Sequence, residues 1–167
     1  MKNRTNVILL VIFIAFLAVV LPMLSIPVDI GEHTYTGAIY DWETHEKVQS
    51  VTITLSGKRV YSLTRDQFDL DGHIVIEAET FQNDSDLGMY IDESLGGWFY
   101  GWCSFGANNY NWNGYENAGF AYRKNYSALV IDLQKDDRTL YLSAVEDPAE
   151  QPPQDALTDF LTAMGWQ

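Results

Sequence analysis

The chain has 167 residues, with 10 Lys and Arg against 23 Asp and Glu, a formal charge of −13. So acidic a balance argues against nucleic acid as a partner, because phosphate binding needs clustered cations, and it opposes lying flat on anionic lipid. The single cysteine, Cys103, excludes an intramolecular disulfide and Cys2His2-type zinc sites.

Val7–Val28 reads VILLVIFIAFLAVVLPMLSIPV, 22 residues without a formal charge. As a helix it would cover roughly 33 Å, against about 30 Å for a bilayer core. Three readings compete for it: an uncleaved anchor, a cleaved signal peptide and a buried soluble helix. The basic start suits a signal peptide. The apolar run, however, exceeds the roughly 7–15 residues usual there, and no Ala-x-Ala lies near Pro22–Val28. No cysteine follows to make a lipoprotein. The anchor is the preferred reading, with Pro22 and Pro27 marking its end. Lys2 and Arg4 then hold residues 1–6 in the cytoplasm, and everything after Val28 lies outside it. That remainder carries 8 Lys and Arg against 23 acids, −15, a charge that keeps an exposed domain soluble. Its 139 residues are enough for one domain with a core.

Beyond the anchor the hydrophobic period changes to two. His33–Tyr40 reads as a first strand, followed by a loop over Asp41–Gln49. In Ser50–Ser56, Val51, Ile53 and Leu55 alternate with Thr52 and Thr54, the pattern of a half-buried antiparallel strand. Ser56-Gly57 reads as a turn into a partner strand, Lys58–Thr64. Gly72–Glu79 is the next strand, and the polar Asn83–Asp92 reads as a loop with at most a short strand. Gly97–Phe105 is apolar on both faces, and Ala107–Asn117 is a long Asn-rich loop. Gly119–Arg123, Ala128–Leu133 and Thr139–Val145 complete the strands, with Lys135–Arg138 as the last turn. The expected fold is all-β, an antiparallel sandwich or barrel of about seven or eight short strands. The β-domain is placed at 29–146, a Pro-rich linker at 147–154 and an amphipathic helix at 155–167, whose Ala156, Leu157, Phe160, Leu161 and Met164 fall at helical spacing.

Three stretches are candidates for chemistry. Asp66, Asp69 and Asp71 precede Gly72 like the middle of a calcium loop. Gln67 and Ala78 stand where that pattern needs carboxylates, so a hairpin turn is expected there and no metal. Asp41-Trp-Glu43-Thr-His45-Glu46 places a histidine among carboxylates, but it is not HExxH and reads as a solvated loop. No nucleophile elbow, Walker loop or dinucleotide fingerprint is present, and no cofactor is expected.

The third stretch, Gly97–Tyr122, holds ten of the chain's 23 aromatics and five interleaved asparagines. Flat rings stack on sugar C–H surfaces and amides satisfy hydroxyls. The candidate ligand or partner surface is therefore Trp98, Tyr100, Trp102, Tyr110, Trp112 and Tyr115. Alternation puts Trp98, Tyr100 and Trp102 in one row and Phe99, Cys103 and Phe105 on the opposite face. The competing reading is a β-core with Asn-rich loops. The C-terminal helix, which needs an apolar surface of its own, is the chief rival for covering the row.

The run Val51–Ala78 resembles a pattern in small membrane-anchored proteins of Gram-positive bacteria. There a strand ending in Ser-Gly leads to Tyr-x-Leu, Asp-x-Phe and Gly-x-Ile-x-Ile; here these are Ser56-Gly57, Tyr61-Ser-Leu63, Asp66-Gln-Phe68 and Gly72-His-Ile74-Val-Ile76. The resemblance implies class and location and transfers no catalytic residue. Together these readings point to a single-pass extracytoplasmic binding or structural protein of the cell envelope. It would be anchored through residues 7–28, have no catalytic activity of its own, and take a glycan or another envelope protein as partner. The alternative is an enzyme or enzyme subunit acting on envelope polysaccharide or peptidoglycan.

Overall fold

The computed structural model describes residues 2–20, 26–61, 69–105, 111–112, 115–135 and 138–166. A helix, α1 (Lys2–Val20), precedes nine strands: β1 (Ile26–Asp41), β2 (Lys47–Tyr61), β3 (Leu70–Ala78), β4 (Gln82–Leu95), β5 (Trp98–Phe105), β6 (Asn111–Trp112), β7 (Tyr115–Arg123), β8 (Ala128–Lys135) and β9 (Arg138–Val145). A second helix, α2 (Pro153–Met164), ends the chain. Every pairing is antiparallel. Strands follow one another around the sheet from β1 to β5, then β7, β8 and β9, and β9 returns to β1. β6 is only a two-residue ladder on β7. The result is an eight-stranded up-and-down barrel, the closed one of the two expected architectures, in which no strand of the ring lacks a neighbour.

Alternation along each strand sorts the residues. Ile53, Leu55, Ile74, Ile76, Leu87, Met89, Leu129, Ile131, Leu133, Leu140 and Leu142 fill the inside as one buried cluster, the packing an eight-stranded barrel has room for. A second cluster lies outside. There Ala156, Leu157, Phe160 and Leu161 of α2 cover Ala38, Tyr40, Val130, Tyr141 and Val145 on β1, β8 and β9. The helix is fixed at both ends. Ser143 Oγ donates to the Pro153 carbonyl at 2.7 Å. At the other end Gly165 takes a left-handed conformation (φ 70°), and the N–H groups of Gly165 and Trp166 return to the Thr162 and Leu161 carbonyls.

Several boundaries differ from the sequence reading. Ser56-Gly57 makes no turn: β2 runs straight through it, paired with β1 and β3. A β-carbon on Gly57 would stand 2.5 Å from the Cα of Gly72, so this glycine serves close approach of two strands. Asn83–Asp92 is not a loop. It belongs to β4, whose polar residues are the outward half of a barrel strand, at positions where solvent rather than sequence preference decides.

The N-terminal run is also divided. Helix α1 is described over Lys2–Val20, and Ile26, Pro27 and Val28 are the first residues of β1, in register with Tyr61, Val60 and Arg59. Pro27 disfavours the helical region for Ile26, which is consistent with an extended chain there. The uncharged helical part, Val7–Val20, covers about 21 Å at 1.5 Å per residue. Among the described residues no helix is long and apolar enough to cross a membrane. Nine large apolar side chains from Val7 to Phe16 are each 56–60% exposed, so the barrel does not cover α1.

Candidate functional site

Strand β5 places Trp98, Tyr100 and Trp102 outside the barrel, with Phe99 and Cys103 inside among the core residues. The outward row does not form one surface. Trp98 is 0% exposed beneath α2: its ring meets Phe160 edge-on at 5.5 Å and its Nε1 donates to Asp159 Oδ2 at 3.0 Å. Asp159 also takes Arg123 as an ion pair, and the Arg123 guanidinium lies 5.0 Å over the Trp98 ring. Trp98 is therefore withdrawn from the accessible surface, because the helix that needed an apolar face docks on it. Tyr100 is half-buried at the helix end, 5.9 Å from Phe160 and 5.5 Å from Trp166. Trp102, past the reach of α2, is 63% exposed. Its cross-strand partner Tyr90 on β4 is 39% exposed. Tyr90, Trp102, Tyr100 and Trp166 thus form an aromatic band on the outer wall.

Of the remaining predicted surface residues, Trp112 lies on β6 and pairs with Tyr115 at the start of β7. Their side chains and Tyr110 fall outside the described residues, as does Asp66. The other two carboxylates of that stretch do not converge on a point: Asp69 Oδ2 accepts from the Ile91 N–H at 2.7 Å, whereas Asp71 is exposed on β3. Among the described residues no three His, Cys, Asp or Glu side chains are grouped to hold a metal ion. Asp41 organises its own turn. Its Oδ1 accepts from Glu43 N–H at 2.9 Å and Thr44 N–H at 3.0 Å, and its Oδ2 pairs with Arg138. The Thr44 N–H first, and then Arg138, hold the Asp41 carboxyl below the usual carboxylate range.

Two groups absent from the sequence reading stand out. Asp132 on β8 faces outward beside the aromatic band, opposite Gly119 on β7 and Tyr141 on β9. Among the described residues its Oδ1 is buried with no hydrogen-bond partner, and burial pushes its carboxyl up to about 6. Burial first, and then the Asp132 charge, raise the neighbouring Tyr141 hydroxyl.

The second group closes the barrel at the β7–β8 turn. His33 Nδ1 lies 2.5 Å from Glu146 Oε1, and its Nε2 lies 2.8 Å from the Ile30 carbonyl. A carbonyl only accepts, so the contact with Ile30 is a hydrogen bond when Nε2 carries the hydrogen. His33 stacks on Tyr126 at 5.1 Å, Tyr126 on Tyr122 at 5.3 Å, and Tyr122 lies 5.4 Å from Phe99. These residues come from β1, β5, β7 and the end of β9, separations of up to 113 residues, so no local spacing announced them. No family model matches the chain, and no curated protein or solved structure matches it either.

Proposed function

We propose that the protein is a membrane-attached, extracytoplasmic binding domain of the cell envelope that holds a glycan on its outer wall and carries out no chemistry of its own. The observation that carries the reading is the Tyr90–Trp102 pair, exposed side by side on β4 and β5. A monomer leaves large contiguous aromatics in water when they meet something else. Flat rings suit sugar C–H faces, and Asp132 lies on the same outer wall two strands from Trp102. Attachment rests on α1. A helix apolar on every side is covered by lipid or by protein, and the barrel does not cover this one. Ahead of β1 the sequence stays uncharged to Ser25, and Lys2 and Arg4 at the start of the run favour a cytoplasmic N-terminus. The likeness of Val51–Ala78 to small anchored proteins of Gram-positive bacteria agrees with that placement.

An enzyme acting on envelope polysaccharide is the second reading, favoured by Asp132, whose raised carboxyl is of the kind used as a general acid. Glycoside hydrolysis also requires a second carboxylate across the scissile bond. Incubating the full-length protein in detergent micelles with purified peptidoglycan separates the two: saturable retention without soluble products supports the binder, and release of fragments supports the enzyme.

A further inference from the structure

We propose that His33 is a pH-operated clasp: with a proton on both ring nitrogens it ties the bulge of β1 to the end of β9, and on losing one proton it lets that end of the β1–β9 seam open. The seam is where the barrel closes. Its ladder runs from Asp41 opposite Leu140 to Thr36 opposite Val145 and stops there, while β1 continues to Ile26 paired with β2 alone among the described residues. Just past the last pair stand His33 on β1 and Glu146 after β9, with Nδ1 of the one 2.5 Å from Oε1 of the other. The second ring nitrogen, Nε2, lies 2.8 Å from the Ile30 carbonyl. Ile30 is the extra residue of the bulge: Asp29 pairs with Lys58 and Gly31 with Gly57, and Ile30 has no counterpart on β2. Gly31 completes the bulge with a left-handed φ of 78° and an N–H donated to Asp29 Oδ1 at 2.8 Å.

Both ring nitrogens thus face oxygens. The Ile30 carbonyl only accepts, and so does an ionised glutamate. An imidazolium ring donates to both. A neutral ring has a single N–H, so one of the two contacts then sets lone pair against lone pair. The titratable groups that face the ring are Glu146 after β9, Tyr35 on β1, Tyr126 in the β7–β8 turn and Tyr122 stacked on it from β7. Its partner on β2, Leu55, is apolar. Lys124 of the same turn and Arg59 of β2 lie over Phe99, the ring that adjoins Tyr122. Burial first, and then the Glu146 charge, raise the Tyr35 hydroxyl, so it stays neutral. Of these side-chain types only histidine ordinarily changes charge between about pH 5 and pH 8. The clasp is separate from the outer-wall aromatics, so it stands or falls apart from glycan binding.

Amide hydrogen exchange of the full-length protein in neutral detergent micelles, read residue by residue and corrected for the intrinsic rate at each pH, tests the clasp. Opening of the seam is read as lost protection. The reporters are the Glu146 N–H, which donates to the Ser127 carbonyl at 3.0 Å, and the Gly31 N–H in the bulge. Between about pH 5 and about pH 8 both should lose about tenfold or more in protection, as loss of one hydrogen bond to a charged group does. Glu146→Gln removes the dependence without removing the contact: the side chain is exposed, and an amide offers an oxygen to a protonated Nδ1 and an N–H to a bare one. Protection in this variant should be equal at the two pH values. His73→Gln is the control, because His73 lies beside Asp84 and Asp86 on the outer wall, and it should keep the wild-type dependence. Equal protection of the wild type at both pH values, a dependence undiminished in Glu146→Gln, or one abolished by His73→Gln overturns the proposal.

Discussion

The phenol of Tyr100 crosses β7 at Gly119, with its hydroxyl oxygen 2.6 Å from the point where a β-carbon on that glycine would stand. Gly119 is also the register partner of Asp132. The missing side chain therefore lets a residue of β5 reach over one strand toward the Asp132 carboxylate on the next. A methyl group at Gly119 would collide with the ring. Gly119→Ala is expected to cost about 1–3 kcal/mol in denaturant unfolding, as overpacking does. Tyr100→Ala should relieve most of that penalty when the two are combined. Additive effects of the two substitutions would show that the contact is not the cause.

The outer row separates into two energetic classes. Trp98→Ala removes a fully buried ring and a hydrogen bond to Asp159, and should destabilise the fold by about 3–5 kcal/mol. Trp102→Ala removes an exposed ring and should stay within about 0.5 kcal/mol of wild type. Equal losses at both positions would place Trp102 under cover in solution.

How much of this could be read from the sequence depends on whether a feature is periodic or convergent. The alternation in Val51–Leu55 and Trp98–Cys103 is local, so strand type and the two faces of β5 followed from it. The four buried residues of α2 at helical spacing likewise announced a helix seeking an apolar face. Which face it takes is a tertiary outcome, and the reading that grouped Trp98 with Trp102 had no means to see the helix end between them. Convergent features were not legible at all. His33 read only as the start of a strand because its partner Glu146 is 113 residues away. Polar β4 was hidden because a barrel strand that turns charge to solvent resembles a loop in composition. The apolar run to Val28 gave no sign of its division, because strand residues such as Ile26 and Val28 are as hydrophobic as helix residues.

Asp132 sets a pH dependence. An acid whose folded pKa, about 6, exceeds its unfolded value of 3.8 holds its proton more tightly in the folded state. Its contribution is therefore most favourable below the unfolded value and declines as pH rises through about 6. Above that, the charge costs at most about 3 kcal/mol. Asp132→Asn should raise stability at neutral pH by about 1–3 kcal/mol and flatten the profile between about pH 4 and pH 6. Asp41 acts in the opposite sense. Its lowered pKa stabilises the fold above the unfolded value and is lost only as pH falls below 3.8. Unfolding titrations across this range decide the matter: an Asn variant that runs parallel to wild type at every pH contradicts the assignment.

Attachment through α1 predicts a fractionation result. Full-length protein should stay with the membrane pellet after an alkaline carbonate wash, and deletion of residues 2–20 should release the barrel. Protease added to intact cells should digest the barrel from outside. Protection of the barrel until lysis would refute the proposed orientation, and extraction of the intact chain by carbonate would refute the attachment.

The most direct measurement on the binding claim is retention of full-length protein on insoluble peptidoglycan, compared for wild type, Trp102→Ala and Tyr90→Ala under conditions where all three melt at the same temperature. Loss of a stacking ring should weaken saturable retention by about tenfold or more, in line with about 1.4 kcal/mol or more per ring. Retention by Trp102→Ala equal to that of wild type, with its melting curve unchanged, would contradict the account.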